Sequence, residues 1–281
     1  MFLKKNMLKF SKMHGLGNDF MVVDTINQSF FFSKKLIKKW SNRTRGIGFD
    51  QLLILEPSNC VQFDFFYRIF NSNGLEVEQC GNGARCIGLY CLLNNLFCKK
   101  KIILKTQKNF LFLKILQHNI IEVNMGIPCF SPKDVFYNSS KKKLYYNVKI
   151  LNNIYTMSIV SLGNPHCVIL VSDLKNFPVQ TVGSMLSKHN DFLYGVNVGF
   201  MQIINSKIIH LRVYERNTGE TESCGSGACA AVAIGIRNKL LNSRVKVYLP
   251  GGILTISWIG EGKCLYMQGS ATHVYDGKLL Y

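Results

Sequence analysis

The sequence predicts an α/β (α+β) protein made of two similar domains in tandem, and three observations support that prediction. First, "VEQCGNGARC" around Cys80 and "TESCGSGACA" around Cys224 share the pattern Glu-x-Cys-Gly-x-Gly-Ala. Second, "HGLGNDFMVVD", which begins at His14, and "VSLGNPHCVIL", which begins at Val160, share Leu-Gly-Asn before an apolar run typical of a strand. Third, these motifs recur in one order at offsets of about 145 residues, a period too long for a solenoid repeat.

Each half is expected to contain the same elements in the same order. Strands come first, and a short basic helix, "SKKLIKKW", follows in the first half with Ser33 as its N-cap. "RGIGFDQLLIL" and "YGVNVGFMQII" are matching turns that lead into further strands. Each cysteine motif then opens a proline-free apolar stretch, "GARCIGLYCLLNNL" or "GACAAVAIGIRNKL", that predicts a helix. We therefore expect a mixed, strand-rich, barrel-like sheet around a central helix in each domain, with the active site in the cleft between the two domains.

The polar segment 129–147 is the predicted break between the halves. It contains a Lys triplet and turn-forming residues such as Pro132. We predict an N-terminal domain of residues 1–128 and a C-terminal domain of residues 129–281. The last residues, 270–281, are the part of the chain expected to pack back on the first domain.

The composition indicates a soluble globular protein. Of the 281 residues, 47% are hydrophobic and 18% are charged, which is enough for two sizeable cores. No apolar run approaches the roughly 20 residues that cross a bilayer, and the start, "MFLKKNMLKF", lacks the pattern of a secretory signal, so we expect a cytoplasmic protein. The ten cysteines include no Cys-x-x-Cys pair and lie mostly in apolar segments, so we expect reduced thiols and no metal site.

The formal net charge of +18 raises the question of a nucleic-acid partner. However, the lysines occur in short scattered runs, and no aromatic-interleaved stripe, helix-turn-helix or zinc-finger pattern accompanies them. We therefore expect a solvated basic surface and neither a nucleic-acid nor a membrane partner.

A cysteine immediately before a helix is chemically distinctive. The free N–H groups of a helix N-terminus carry partial positive charge, which favours a thiolate and also holds a carboxylate or phosphate. Glycines such as those flanking Cys80 and Cys224 let a ligand approach the backbone closely. Two such cysteines on opposite sides of one carbon could remove a proton from one face and return one to the other. The alternative is that the repeated cysteine is a packing residue in a duplicated turn. The glycines alone do not indicate a phosphate or dinucleotide site, because "CGNGAR" lacks the features of a P-loop or a dinucleotide fingerprint.

Several long motifs in register give the chain a resemblance to the diaminopimelate epimerase family. They are "KMHGLGNDF", "FDQ", "EVEQCGNGARC", "GNPH", "ERNTGETESCGSGACA", "PGG" and "SATHVYDG", and together they cover nearly the whole length. "NSNG" departs from the family's usual Asn-Ala-Asp-Gly but keeps Asn71. The resemblance implies cofactor-independent, metal-free epimerisation of LL-diaminopimelate to meso-diaminopimelate, in lysine and peptidoglycan synthesis, by a homodimeric enzyme.

The resemblance also implies the residues of the site. Cys80 and Cys224 would be the two catalytic bases, and His166 and Glu215 would tune their pKa values. The substrate would be held by backbone N–H groups and polar side chains, namely Asn18, Gln51, Asn71, Gly81, Asn82, Asn164, Asn197, Glu215, Arg216, Gly225 and Ser226. Arg216 would grip the distal carboxylate with two hydrogen bonds.

Each of these side chains also has an ordinary structural explanation. Asn18 and Asn164 follow glycine and suit turns, Gln51 precedes a strand, and a buried hydrogen-bonded His166 would be unremarkable. Two other functions therefore stay open. One is a proline racemase-like enzyme acting on a substrate with one charged end, and the other is a basic binding protein with structural cysteines.

Overall fold

The structure is a computed structural model that describes residues 7–77, 80–97 and 99–280. The basic N-terminal extension lies outside the described residues. So does Glu78, the glutamate of the Glu-x-Cys pattern around Cys80. The chain divides into two compact units, Met1–Val123 with Gly269–Tyr281 and Asn124–Gln268.

Among its described residues the first unit has two α-helices, of which the second is buried. Its elements before the unit boundary are β1 (Met7–Gly15), β2 (Asn18–Asp24), α1 (Lys34–Ser41), β3 (Gln51–Pro57), β4 (Phe65–Asn71), β5 (Glu76–Val77), α2 (Gly81–Leu93), β6 (Lys101–Lys105), β7 (Phe110–Ile115) and β8 (Ile121–Asn124).

The second unit repeats this arrangement. Its elements are α3 (Pro132–Val135), β9 (Tyr146–Ile150), β10 (Asn153–Ser161), β11 (Pro165–Leu170), α4 (Val179–Ser187), β12 (Asn197–Asn205), β13 (Ile208–Glu215), β14 (Gly219–Thr221), α5 (Gly225–Arg237), β15 (Arg244–Leu249), β16 (Gly252–Ser257) and β17 (Tyr266–Gly269). The last strand, β18 (Thr272–Leu280), pairs antiparallel with β1 of the first unit.

The strand pairings of the two units match one for one. In the first unit β1 and β2 are antiparallel, β2 and β3 parallel, β3 and β4 antiparallel, and β4 pairs with both β5 and β6. In the second unit β10 to β15 repeat those pairings in the same directions. Strand β18 on β1 corresponds to β9 on β10. The prediction of two similar strand-rich α/β halves is confirmed.

Helices α1, α2 and α5 begin where the sequence predicts. Ser33 caps α1, and its hydroxyl accepts the backbone N–H of Leu36 at 3.3 Å. Helices α2 and α5 are apolar on nearly every side because each packs among several strands of its own sheet, and most of their residues are buried. None of the helices in the described part of the chain is long and apolar enough to cross a bilayer.

The unit boundary lies after Val123, five residues before the predicted one at 128. The backbone N–H of Met125 donates to the carbonyl of Leu265, and the N–H of Leu265 donates to the carbonyl of Gly126, so this segment joins the second unit. The polar segment 129–147 therefore lies inside the second unit, where it includes α3.

Replacing Gly183 by alanine tests how tightly α4 packs on β13. A Cβ at Gly183 would lie 2.6 Å from the Cβ of Tyr214, an atom fixed to the strand backbone. Alanine normally stabilises a helix by ~1 kcal/mol relative to glycine. Here we expect Gly183→Ala to lower the free energy of unfolding by ~1–3 kcal/mol because of overpacking. Urea denaturation measures the change, with Gln180→Ala at an exposed position of α4 as control. A more stable Gly183→Ala protein would contradict this packing.

Candidate active site

Both motif cysteines are the N-caps of buried helices. The Sγ of Cys80 accepts the backbone N–H of Gly83 at 3.3 Å at the start of α2. The Sγ of Cys224 accepts the N–H of Gly227 at 3.4 Å at the start of α5. Each sulfur is therefore fixed at the positive end of a helix, as the sequence predicts.

The residues that follow each cysteine occupy the first two positions of the helix. In α2 these are Gly81 and Asn82, and in α5 they are Gly225 and Ser226. The N–H groups of the first helical turn have no acceptor inside the helix, and they project past the helix end. Each unit therefore presents backbone donors beside a sulfur, an arrangement that suits a carboxylate.

Asn18 and Asn82 meet at the start of α2. The amide nitrogen of Asn82 donates to Asn18 Oδ1 at 3.3 Å, and the Sγ of Cys80 lies 3.9 Å from the same oxygen. The amide nitrogen of Asn18 donates to Asp50 Oδ2 at 2.9 Å. This part of the first unit brings three predicted site residues together around one carbonyl oxygen.

Gln51 and Asn71 form a second polar pair in the first unit. They lie opposite each other on β3 and β4, and Gln51 Nε2 donates to Asn71 Oδ1 at 2.8 Å. The Oε1 atom of Gln51 is buried and has no hydrogen-bond partner among the residues that the structure describes. A buried acceptor of this kind costs ~1–3 kcal/mol unless a ligand or water satisfies it.

The second unit places Asn164 beside the start of α5. Its amide nitrogen donates to Ser226 Oγ at 3.2 Å, and its Oδ1 lies 3.1 Å from His166 Nε2. Ser226 Oγ also lies 3.6 Å from the Sγ of Cys224. Asn164 thus occupies the position in this unit that Asn18 occupies in the first.

Asn197, Arg216 and Glu215 lie close together at the ends of β12 and β13. The Oδ1 of Asn197 accepts the backbone N–H of Arg216 at 2.9 Å, and its amide nitrogen donates to the carbonyl of Pro165 at 3.1 Å. The guanidinium of Arg216 donates to the carbonyl of Tyr194 at 2.6 Å. Glu215 Oε1 accepts the hydroxyl of Thr221 at 2.7 Å.

Burial sets the protonation of the second-unit cysteine. Burial raises the pKa of Cys224 well above its ordinary value, and the negative charge of Glu215 raises it further. The bonds from Ser226 and from the N–H of Gly227 lower it by less. The expectation that a helix N-terminus alone would favour a thiolate is therefore wrong for Cys224, because the sulfur is only 3% exposed and a charged sulfur loses its hydration there.

His166 is held neutral beside this cluster. Burial lowers the pKa of His166 to about 3, and the positive charge of Arg216 contributes to the lowering. Asn164 donates from its amide nitrogen to Ser226 Oγ, and its Oδ1 lies 3.1 Å from the Nε2 atom of His166.

Three residues near the site were not singled out from the sequence. Asp50 bonds Asn18, Thr221 bonds Glu215, and the buried hydroxyl of Tyr67 lies against Gly83. Asp50 stands inside the quoted "FDQ" motif, so a signal for it was present, whereas Tyr67 gave none. Within the described residues no group of three or more histidine, cysteine or acidic side chains is placed to hold a metal ion.

Replacing Glu215 by glutamine tests its effect on Cys224. Because the glutamate charge raises the pKa of Cys224, the isosteric neutral amide lowers that pKa and increases the thiolate fraction. We expect Glu215→Gln to alkylate at Cys224 roughly three- to tenfold faster with iodoacetamide near neutral pH. Mass spectrometry of the Cys224 peptide measures the rate. Glu220→Gln, whose carboxylate pairs with Arg212, is the control and keeps the wild-type rate. Equal rates for Glu215→Gln and wild type would refute the electrostatic coupling.

His166 makes stability depend on pH. Its pKa is about 3 in the folded protein against an ordinary 6.5, so its contribution is complete above pH 6.5 and is lost progressively as the pH falls towards 3. His166→Phe introduces the residue that stands at the matching position of the first unit, Phe20. Between about pH 7.5 and about pH 5 we expect wild type to lose roughly 2 kcal/mol more unfolding free energy than the variant.

Chemical denaturation at both pH values measures this difference. His210→Phe, at an exposed histidine of the same unit, is the control and keeps the wild-type pH dependence. Parallel pH profiles for wild type and His166→Phe would show that the buried imidazole is not responsible.

Comparison with known proteins identifies the family of the chain. The sequence pattern of the family described as "Diaminopimelate epimerase" matches residues 10–130 and 158–274. A "Diaminopimelate epimerase" of Buchnera aphidicola subsp. Acyrthosiphon pisum (strain 5A) is 53% identical over 280 residues, covering 98% of this chain and 97% of that protein.

Solved structures share the fold at low sequence identity. A phenazine biosynthesis protein of the PhzF family from Bacillus anthracis has a TM-score of 0.70 at 16% identity, covering 98% of this chain and 100% of that one. A hydroxyproline epimerase from Agrobacterium vitis has a TM-score of 0.71 at 12% identity, covering 100% of this chain and 94% of that one. The motifs, the duplicated fold and the sequence match agree, and the chain belongs to the diaminopimelate epimerase family.

Proposed function

We propose that this isomerase interconverts LL- and meso-2,6-diaminopimelate by two-base proton transfer at the α-carbon, using no cofactor. The observation that carries the proposal is the duplicated helix N-terminus, where Cys80 and Cys224 each sit beside backbone N–H donors. The family membership supplies the substrate, and lysine biosynthesis is the context that the family name implies.

The proposed step moves two protons in opposite senses. A thiolate removes the α-proton and becomes a thiol, leaving an electron pair that delocalises into the adjacent carboxylate. The other thiol gives its proton to the opposite face of the carbon and becomes a thiolate. N–H groups at the starts of α2 and α5 stabilise the charge that accumulates on the carboxylate. The reverse reaction exchanges the two roles, so one cysteine on each face serves both directions.

The protonation of Cys224 supports this division of roles. Burial and Glu215 favour its thiol form, so Cys224 starts as the proton donor in the state that the structure describes. In the proposal Glu215 also receives the ammonium group next to the reacting carbon, which neutralises the glutamate charge. Substrate binding would then lower the pKa of Cys224 and prepare it for the opposite role.

The remaining polar residues provide for a substrate with two charged ends. Arg216 has guanidinium donors beyond the one used by Tyr194, and we assign them to the distal carboxylate. The buried Oε1 of Gln51, next to Asn71, is an acceptor suited to an ammonium group. Asn164 and Asn197 each keep an amide hydrogen and an oxygen lone pair beyond the bonds described above.

A substrate with one charged end would leave several of these groups without a purpose. Arg216, with Asn71, Asn164 and Asn197, therefore favours diaminopimelate over the cyclic amino acid of a proline racemase-like enzyme. Two further parts of the proposal, a homodimeric state and a cytoplasmic location, rest on the family resemblance and the biosynthetic role.

Exchange of solvent deuterium tests the two-base reaction. LL-diaminopimelate is incubated in heavy water under reducing conditions, and NMR follows deuterium at the α-carbon and the appearance of the meso isomer. We expect wild type to do both, and Cys80→Ala and Cys224→Ala each to lose at least about 10²-fold in rate because each lacks one proton-transfer group. Cys129→Ala, at an exposed cysteine, is the matched control and keeps the wild-type rate.

The outcomes separate the competing functions. Exchange of proline derivatives but not of diaminopimelate would favour the racemase-like alternative. Full activity of Cys80→Ala would refute the two-base assignment. A folded wild-type protein that exchanges no amino acid and binds nucleic acid in a steeply salt-dependent way would leave the basic binding protein.

A further inference from the structure

We propose that Asp50, held by Arg43, is a positioning residue that fixes the orientation of the Asn18 amide and thereby presents a carbonyl oxygen to the Sγ of Cys80. The inference rests on the proposed function in so far as Cys80 is a catalytic base. Asp50 acts through Asn18, whose amide nitrogen donates to its carboxylate.

Asp50 is anchored on two sides. Arg43 Nη2 donates to Asp50 Oδ1 at 2.8 Å, and Arg43 also grips Asp19 through both terminal nitrogens at 2.8 and 3.0 Å. The backbone N–H of Asp50 donates to Asp19 Oδ1 at 3.0 Å, and the backbone N–H of Asp19 donates to Asp50 Oδ2 at 3.2 Å. The carboxylate of Asp50 is therefore held in place although the residue is exposed.

This carboxylate decides which way the Asn18 amide faces. A carboxylate accepts hydrogen bonds and donates none, so the group that meets Asp50 Oδ2 at 2.9 Å is the amide nitrogen of Asn18. The Oδ1 of Asn18 must then face the other way. There it lies 3.3 Å from the amide nitrogen of Asn82 and 3.9 Å from the Sγ of Cys80.

The other end of the same chain of hydrogen bonds enforces the same orientation. Arg85, whose side chain is buried, donates from Nη1 to Asn82 Oδ1 at 3.0 Å, which turns the Asn82 nitrogen towards Asn18. Donation thus runs in one direction from Arg85 through Asn82 and Asn18 to Asp50. A guanidinium at one end and a carboxylate at the other leave only one arrangement of the two amides, and such chains strengthen their members.

The second unit orients its matching asparagine by a different device. Val196, at the position that matches Asp50, is apolar and buried. Asn164 Oδ1 lies 3.1 Å from His166 Nε2, and the amide nitrogen of Asn164 donates to Ser226 Oγ at 3.2 Å. The side-chain amides of the two matching asparagines therefore face opposite ways at the helix start. Asn18 turns its oxygen to Cys80, whereas Asn164 turns its nitrogen to Ser226. Asp50 is one of the residues at which the two units differ around this amide.

Asp50→Asn reverses the orientation without changing the size of the side chain. Arg43 requires an acceptor, so the new amide turns its oxygen to Arg43 and its nitrogen to Asn18. The Asn18 amide accepts from this new donor by turning its oxygen towards position 50, which breaks its hydrogen bond from Asn82, and its nitrogen then faces Cys80. A donor at the sulfur favours the thiolate, whereas the oxygen it replaces favours the thiol.

Alkylation of Cys80 is the readout that depends on this orientation and not on turnover. Iodoacetamide labelling followed by mass spectrometry of the Cys80 peptide gives the rate across a pH series. We expect Asp50→Asn to react about tenfold faster near neutral pH, because a donor in place of an acceptor increases the thiolate fraction. Epimerisation should fall about tenfold in both directions, because a more easily ionised Cys80 is a weaker base in one direction and a less available thiol in the other, and because the amide is misplaced.

Three further variants isolate the amide orientation. Asp50→Glu keeps an acceptor-only group, and we expect alkylation within about threefold of wild type. Asp50→Asn combined with Lys38→Gln, at an exposed lysine of α1, restores the wild-type net charge but keeps Arg43 and the reversed amide, so epimerisation stays at least about threefold below wild type. Glu56→Gln removes a carboxylate paired with Arg68 elsewhere in the same unit and is the matched control, with wild-type rates. Thermal unfolding of each variant establishes that it is folded.

Each outcome decides the proposal. Faster Cys80 alkylation in Asp50→Asn, with near-wild-type Asp50→Glu, supports it. Wild-type alkylation in Asp50→Asn overturns it, and so does recovery of the wild-type rate in the double variant, which would indicate a simple charge effect. If wild type proves inactive on diaminopimelate, the proposed function fails, and the alkylation series alone still confirms or overturns the role of Asp50.

Discussion

The N-terminus of a buried helix, capped by a cysteine sulfur, is the constraint on which the rest of the structure depends. Cys80 and Cys224 accept N–H bonds from the third residues of α2 and α5, so the sulfur position follows from the helix axis. The axis is in turn fixed by the strands that pack around each apolar helix. Each of these helices has an apolar body, which packs in the core, and a polar N-terminus. The reactive groups are therefore held at the N-terminus of a helix that the core keeps rigid.

The duplicated framework carries two different electrostatic environments. In the second unit burial and Glu215 favour the thiol of Cys224, and His166 stays neutral because it is buried near Arg216. In the first unit a chain of side-chain hydrogen bonds surrounds the start of α2 and ends on Asp50. Like cysteines at like helix starts therefore have different neighbours, which suits a reaction whose two stereoisomers differ.

Strand register brings the polar residues of each unit to one edge. Phe20 lies beside Gln51 in the first unit, and His166 lies beside Asn197 at the matching place in the second. Both pairs stand near the starts of two parallel strands, of which the first, β2 or β11, begins at a Gly-Asn turn close to the helix N-terminus. Because the strand pairings repeat, each position in one unit has a matching position in the other. The two units differ chemically because different residues occupy these matching positions.

The sequence by itself determined the elements that depend on local pattern. The repeated motifs predicted two similar halves, Ser33 predicted the start of α1, and the cysteines predicted the starts of α2 and α5, because capping and apolar periodicity involve residues within a few positions of one another. It also indicated, through a resemblance, which polar residues to examine. Only the tertiary structure decided the pairing of β18 with β1, the unit boundary at Val123, the proton-holding environment of Cys224 and the bond from Asp50 to Asn18. These features join residues far apart in the chain or depend on burial, and no local pattern encodes either.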